Sequence, residues 1–283
     1  MKTISFNDLK GKVCVITGGA GVIGSSIIEG LASAGIRTAI LDINPEKAEQ
    51  AADDIRKKFS VETIAVKADV LSTESLGKAR NLIHQKLGNI SILINCAGGN
   101  SPKATTQVEN MEKQHIHEMD KTIFGLDISG FDWVFDLNFK GTLLPTMIFA
   151  RDMIENGKGV ILNISSMTSL RPLTKIPAYS AAKASINNFT QWLAVHLAMM
   201  NIRVNAIAPG FFLTKQNRFL LVDEKTGDPT PRGEKIIANT PMRRYGTTDE
   251  LQGTVLYLLS DISKFVTGVV IPVDGGYSAY GGV

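Results

Sequence analysis

A strand that runs straight into a glycine turn and then a helix constrains this chain more than any other feature. Residues Lys12 to Thr17 (KVCVIT) form a short β-branched run of the buried-strand kind. Gly18 to Gly24 (GGAGVIG) follows at once, before a helical pattern that continues through Ala34. Glycines in such a turn let the backbone bend tightly and approach a pyrophosphate, whose charge is met by amide N–H groups at the helix N-terminus. Plain α/β proteins use similar turns, so the rest of the chain has to decide between the two readings.

The alternation continues. Arg37 to Leu41 reads as a second strand, with Asp42 at its end, 18 residues beyond Gly24. A carboxylate there accepts bonds from adenosine ribose hydroxyls and repels a 2′-phosphate. Neither Gly21 nor the neighbouring Ile43 offers a compensating cation, so NAD is expected rather than NADP, with a mere strand-end turn former as the lesser alternative reading of Asp42. A helix over Pro45 to Phe59 leads to a strand over Val61 to Ala68, with Asp69 and Val70 placed to meet an adenine edge. A helix over Ser72 to Leu87 leads to a strand over Ser91 to Asn95, ending in the small residues Cys96, Ala97, Gly98 and Gly99. Small residues suit a backbone that passes close under a ligand.

Beyond a polar stretch from Asn100 to Gly130, a long helix is predicted over Phe131 to Glu155, with Asn138 among apolar neighbours. An amide there is either a satisfied core group or part of a relay, since burial without a partner is costly. Gly159 to Ser166 reads as a fifth strand whose last two hydroxyls, Ser165 and Ser166, fall at the carboxyl edge of the sheet. A helix containing Tyr179 follows, with Pro177 near its first turn, and then a strand over Ile202 to Ala208, Pro209, Gly210 and a polar segment through Pro241. A helix over Thr248 to Ser260 and a strand over Val269 to Val273 complete the pattern. Strands alternating with helices at this spacing predict an α/β, Rossmann-type doubly wound sheet of about seven parallel strands with helices on both faces. Residues 1–283 contain no repeat, low-complexity tract or linker, so one domain is expected, with a cofactor half over 1–160, a catalytic and substrate half over 161–283 and a loop insertion over 100–130.

Composition excludes several function classes. The chain is 44% hydrophobic and 20% charged, with a net charge of +3 and a pI near 8.7, and its basic residues are scattered among acidic ones. No basic run addresses nucleic acid. Met1 to Lys12 lacks the apolar core of a signal peptide, and no apolar run approaches membrane-spanning length. Cys14 and Cys96 each sit in an apolar run and read as reduced core thiols, which makes the cytoplasm the expected compartment. His115 and His117, flanked by Glu112 and Glu118, are two apart and would point to different faces of a helix; a solvated surface is expected there and no metal.

Tyr179 and Lys183 are spaced four apart, which puts a phenol and an ammonium on one helix face. A free tyrosine ionises near pH ~10, and a neighbouring Lys⁺ favours the phenolate. The spacing predicts a tyrosine pKa lowered toward neutrality. Helices also carry such pairs by chance, and the pair gains weight only from what surrounds it.

Taken in order, Thr17-Gly18 with Gly24, Asp69-Val70, Asn95 with Ala97-Gly98, Asn138, Ser166, Tyr179 with Lys183, and Pro209-Gly210 with Thr214 resemble the short-chain dehydrogenases/reductases over essentially the whole chain. Ser166 is the matching serine because it lies 13 residues before Tyr179. Val22 departs from the pattern, standing where the family usually has its middle glycine, with Gly21 one position earlier; Gly18, Ile23 and Gly24 keep their places. The resemblance implies that Tyr179 exchanges a proton with the substrate oxygen while a nicotinamide exchanges a hydride with its carbon. Lys183 would bond the nicotinamide ribose, Ser166 would donate to the developing alkoxide, and Asn138 would hold a water linking Lys183 to solvent. Thr214 and the backbone of Phe212 would hold the carboxamide, with Phe211 to Met242 as a lid. Relatives commonly form homotetramers, and the apolar tail Tyr277 to Val283 suits a subunit contact or a cap on its own site.

Gly99 to Thr106 further resembles a subgroup of D-mannonate oxidoreductases (fructuronate reductases), whose members share the departure at the middle glycine. A six-carbon sugar acid wants a cation for its carboxylate and polar groups for its hydroxyls. Asn100, Lys103, Arg171, Lys175 and Arg218, with Ser166, are the expected suppliers, solvated surface charge being the alternative reading of each. Two other functions remain open at this point: a dehydrogenase for another sugar acid or a polyol, such as gluconate, and a non-catalytic NAD-binding regulator.

Overall fold

The computed structural model describes residues 4–214, 217–224 and 226–282. Met1, Lys2, Thr3 and Val283, at the ends of the segments discussed above, and Lys215, Gln216 and Lys225 of the expected lid lie outside the described residues.

Seven parallel strands form one sheet in the order β3-β2-β1-β4-β5-β6-β7. They are β1 Val13–Thr17, β2 Arg37–Asp42, β3 Thr63–Lys67, β4 Ile92–Asn95, β5 Gly159–Ile164, β6 Ile202–Pro209 and β7 Val270–Val273. Helices α1 Val22–Ser33, α2 Pro45–Lys58, α3 Thr73–Leu87, α5 Gly141–Glu155 and α6 Pro177–Leu197 connect or cover them, with α4 Ile128–Phe135 ahead of α5 and α9 Gln252–Leu259 before β7. Among the described residues no helix is long and apolar enough to cross a membrane.

Strand side chains alternate between faces, and each face has its own core. Cys14 and Ile16 pack on one side with Ile28, Leu31, Val255 and Leu259 of α1 and α9. Val13 and Val15 pack on the other with Leu76, Ile83, Phe149 and Leu193 of α3, α5 and α6. Because both faces are covered, β1 reads as continuously apolar rather than alternating. Each fully buried Ile or Leu contributes about 1.5–3 kcal/mol.

The strand order reverses between β1 and β4, where Thr17 pairs in register with Asn95. A crevice opens at the carboxyl ends of strands at such a switch point. Asn95 is level with Asn163 on β5 and Ile164 with Ile207 on β6, so the segments after β1, β4, β5 and β6 emerge side by side.

Three elements differ from expectation. The helix predicted over Phe131 to Glu155 begins at Ile128 and is interrupted by a π turn over Asp136–Lys140. Pro145 offers no amide to the Gly141 carbonyl, and the Gly141 amide reaches back to the Asp136 carbonyl, so the ladder loosens here. The 100–130 stretch is four short 3₁₀ turns, anchored where Ala104 packs on Val134, Ala178, Phe131 and Tyr179. The polar segment after β6 contains two helices, α7 Arg218–Leu221 and α8 Pro231–Asn239, the second capped by Thr230 and begun by Pro231.

Candidate active site

The glycine turn is built by close approach. Gly18 adopts φ +62, and a Cβ on it would lie 2.7 Å from the Ala97 Cα. A Cβ on Gly24 would lie 2.6 Å from the Gly18 carbonyl oxygen, so the helix can start directly against the turn only with glycine there. Gly21 has an ordinary extended backbone, φ −72 and ψ 166, and Val22 is the first residue of α1. Valine in place of a middle glycine is therefore accommodated as the first helical residue. Gly19 was not singled out from the sequence, yet a Cβ there would lie 2.9 Å from Ile40.

The N-terminus of α1 differs from its neighbours. Asn44 caps α2 and Ser72 caps α3 through their side chains, whereas α1 has neither a side-chain cap nor an acidic residue in its first turn. Its leading amides thus face the crevice without a side-chain acceptor, the arrangement that suits a bound anion.

A cavity of about 770 Å³ occupies the crevice. Gly18, Gly21, Val22, Ile23 and Gly24 line it from the turn, Asp42 and Ile43 from the end of β2, and Asp69 and Val70 from beyond β3. Ala97 and Gly98 line it after β4, Pro209, Gly210, Phe212 and Thr214 at and after the end of β6, and Ser166, Tyr179 and Lys183 beyond β5 and on α6. The Asp42 carboxylate accepts from the Ala20 amide at 3.3 Å and the Asn44 amide at 3.0 Å, which ties β2 to the glycine turn. Lys183 is the one cation among the described residues of the lining. A dinucleotide without a 2′-phosphate fits this lining: open helix amides for its pyrophosphate, a carboxylate for its ribose and, among the described residues, no cation of the lining beyond Lys183.

Asn95 lies in the sheet, 1% exposed, and does not line the cavity. Its Nδ2 donates to Asn163 Oδ1 at 2.9 Å and Thr146 Oγ1 at 3.0 Å, while Asn163 Nδ2 donates to Thr190 Oγ1 at 2.9 Å. These bonds form a polar crossbeam from α5 through β4 and β5 to α6. In this structure the crossbeam is the place of Asn95, behind the cavity wall.

Ser166, Tyr179 and Lys183 converge because β5 ends beside the first turns of α6. Ser166 lies beside the Tyr179 hydroxyl, where it favours the phenolate, and its Oγ accepts the Thr168 amide at 3.2 Å. Lys183 is 3% exposed; its Nζ donates to the Ile164 carbonyl at 2.8 Å and lies 5.7 Å from the centre of the Tyr179 ring. Burial holds the Tyr179 phenol above its ordinary value, against the Ser166 hydrogen bond that lowers it. Burial draws the Lys183 ammonium down to about 8, with the Cys96 thiol nearby opposing that fall. The lowered tyrosine pKa expected from the Tyr179 and Lys183 spacing is thus absent in the protein alone, because desolvation of the phenolate outweighs the partners present.

Asn138 is fully buried in the π turn. Its Nδ2 donates to the carbonyls of Gly99 at 2.7 Å and Val134 at 2.8 Å, and its Oδ1 accepts the Gly99 amide at 3.3 Å. It supports the cavity wall without lining it.

The expected substrate residues lie farther out. Asn100 donates to Thr105 Oγ1 at 3.1 Å, Lys103 is paired with Asp127 at 3.9 Å, and Arg171 donates to the Ser278 carbonyl at 2.8 Å. Lys175 adopts a left-handed φ of 73 and its carbonyl accepts the Thr106 amide, while Arg218 opens α7. None of these five lines the cavity, whereas Ser166 does.

Trp133, Leu137 and Asn217 line the cavity and were missed from sequence. Trp133 and Leu137 are four apart across the start of the π turn, a spacing legible only once that helix is known to border the site. Asn217 accepts the Thr214 amide at 2.8 Å and donates to the Phe212 carbonyl at 2.9 Å, pinning the loop after β6. An asparagine three residues after Thr214 is a turn signal that could have pointed to it.

Residues 12–225 match the family model described as short chain dehydrogenase. An uncharacterized oxidoreductase of Haemophilus influenzae is 48% identical over 284 residues, covering 100% of this chain and 99% of that one. A Haemophilus structure with NAD bound, of a protein provisionally named a D-mannonate oxidoreductase, is 48% identical with a TM-score of 0.92, covering 98% of both chains. A structure from Agrobacterium tumefaciens, provisionally named a gluconate dehydrogenase, is 29% identical with a TM-score of 0.83, covering 97% of this chain and 99% of that one.

Proposed function

The chain belongs to the short-chain dehydrogenase/reductase family and is an oxidoreductase acting on alcohol groups; from that premise we propose that it is NAD-dependent and interconverts D-mannonate and D-fructuronate. The observation that carries the chemistry is the convergence of Ser166, Tyr179 and Lys183 at one end of a dinucleotide-sized cavity. NAD is supported by Asp42 in the lining, where Lys183 is the one cation among the described residues, and by the NAD in the Haemophilus structure. The sugar acid is supported by that relative's provisional name.

When bound, the nicotinamide supplies the acceptor or donor of hydride. The protein supplies the rest. Ser166 holds the substrate oxygen by a hydrogen bond that strengthens as negative charge develops on it. Tyr179 gives or takes the proton of that oxygen, and the Lys183 charge stabilises the phenolate form. Phe212 and Thr214, on the loop after β6 that Asn217 pins, would hold the nicotinamide carboxamide.

A second reading, a polyol or another sugar acid, is favoured by the scarcity of positive charge in the lining, where Lys183 is the one cation among the described residues. An NADH absorbance assay over mannonate, gluconate, fructuronate and neutral polyols decides between them. The sugar-acid reading expects fructuronate or mannonate to give the highest kcat/KM, and a neutral polyol turned over best would overturn it. Tyr179→Phe should abolish turnover and leave NAD affinity nearly intact. A homotetramer in the cytoplasm is the expected setting, and the exposed apolar residues Trp192 and Val195 of α6 support association of copies.

A further inference from the structure

Asn187 continues the stripe of α6 that carries Tyr179 and Lys183, one further turn along the same face. Its carboxamide meets the two serines that flank the turn bearing Ser166. Asn187 Oδ1 accepts the Ser165 hydroxyl at 2.6 Å, and Asn187 Nδ2 donates to Ser169 Oγ at 2.8 Å. Ser169 Oγ in turn donates to the Ser166 carbonyl at 2.5 Å.

The protons of this network can be assigned without conflict. Ser165 spends its one hydroxyl proton on Asn187, Asn187 spends an amide proton on Ser169, and Ser169 spends its hydroxyl proton on the Ser166 carbonyl. Ser165 Oγ also lies 3.2 Å from the Lys183 carbonyl and 3.1 Å from Ser169 Oγ, which makes these longer contacts alternatives to its bond with Asn187. The chain of donors is directional and ends on the backbone of Ser166. Ser165 is itself fixed to the sheet, its amide donating to the Ile207 carbonyl at 2.8 Å.

We propose that Asn187 is a positioning residue that locks the Ser166 turn to the catalytic helix and so sets the Ser166 hydroxyl against the Tyr179 hydroxyl. One helix face then carries the proton donor, the cation and the clamp for the third partner, so movement of α6 carries all three together. The turn Met167–Ser169 is a single 3₁₀ turn between β5 and the loop to α6. Without Asn187 its orientation would rest on its backbone bonds and the two longer Ser165 contacts. Asparagine is required rather than a similar shape: an aspartate at 187 has no Nδ2 proton and would draw the Ser169 hydroxyl proton away from the Ser166 carbonyl.

The inference rests on the Ser166 and Tyr179 chemistry of the proposed reaction, not on the choice of sugar acid. Its test compares Asn187→Ala, Asn187→Asp and Ser169→Ala with the parent, each alone and combined with Ser166→Ala. Both Asn187 variants and Ser169→Ala should lower kcat about tenfold to a hundredfold, as small misplacements do, with KM and NAD affinity changed by less than about threefold. Once Ser166 is already alanine, the further substitutions should cost less than about threefold, because they act through it. Additive losses in the double variants, or full activity in Asn187→Asp, would overturn the proposal.

A second readout needs no substrate. The ultraviolet titration of Tyr179, taken as the difference between each protein and its Tyr179→Phe counterpart, should move upward in Asn187→Ala as the Ser166 hydrogen bond loosens. An unmoved titration in a folded variant refutes the clamp. If no compound on the panel is oxidised or reduced, the proposed reaction fails while this titration still judges Asn187.

Discussion

Asn138 holds Gly99 by both of its backbone groups, donating to the carbonyl at 2.7 Å and accepting the amide at 3.3 Å. The π turn in the helix puts the carboxamide at this depth, next to the small residues that follow β4. The same oxygen and Lys183 Nζ would lie 2.6 Å and 3.1 Å from a Cβ on Gly98. Asn138→Ala should therefore cost about 1–3 kcal/mol in denaturant unfolding, because it strands buried backbone groups. It should also lower kcat more than it raises KM, since the wall beneath Lys183 loosens.

Gly24 and Gly21 make a contrasting pair. A Cβ on Gly24 meets backbone at 2.6 Å and 2.7 Å, whereas the nearest atom to one on Gly21 is at 3.2 Å. Gly24→Ala should destabilise the fold by about 1–3 kcal/mol and weaken NAD binding at least tenfold by fluorescence titration. Gly21→Ala should do distinctly less on both measures.

Asp42 sets the expected cofactor preference by charge. Replacing it with asparagine keeps an acceptor for the turn while removing the repulsion of a 2′-phosphate. The ratio of kcat/KM for NAD over NADP should fall about tenfold or more. Parallel assays with the two cofactors measure it, and an unchanged ratio would remove Asp42 from the cofactor site.

Lys183 carries a pH signature. Its ammonium falls from an ordinary 10.5 to about 8 on burial, so the unfolded chain holds more protons than the folded one between those values. Stability from this group therefore rises with pH through that window and is lost as pH falls through about 8. Urea unfolding of the protein without cofactor, from about pH 7 to about pH 10, should show the parent gaining on Lys183→Met.

Much of the fold was legible because its signals are local. Each β-branched run, each break between strand and helix and the glycine turn itself are written within a dozen or so residues, and strand ends were placed to within a residue or two. The π turn was not legible, since Asp136 to Lys140 reads as helix by pattern and its loosening depends on Pro145 and the packing around Asn138. The cavity wall was anticipated through Asp42, Ala97, Gly98, Ser166 and Lys183. Trp133 and Asn217 escaped because their place depends on how a helix and a loop pack against that wall. Asn95 carried a motif and proved to brace the sheet, a distinction that needs the partners on β5 and α5.

The sequence by itself determined the parallel α/β plan and the order of its motifs, because strand and helix periodicity and glycine turns act over short range. It also put Tyr179 and Lys183 on one face of one helix. Tertiary structure alone decided what those two groups experience. Enclosure by the sheet edge and the 100–130 segment raises the phenol and lowers the ammonium, reversing the simple expectation that a lysine alone would ionise its neighbour. Desolvation is a property of the whole enclosing fold, and it cannot be read from a spacing of four residues.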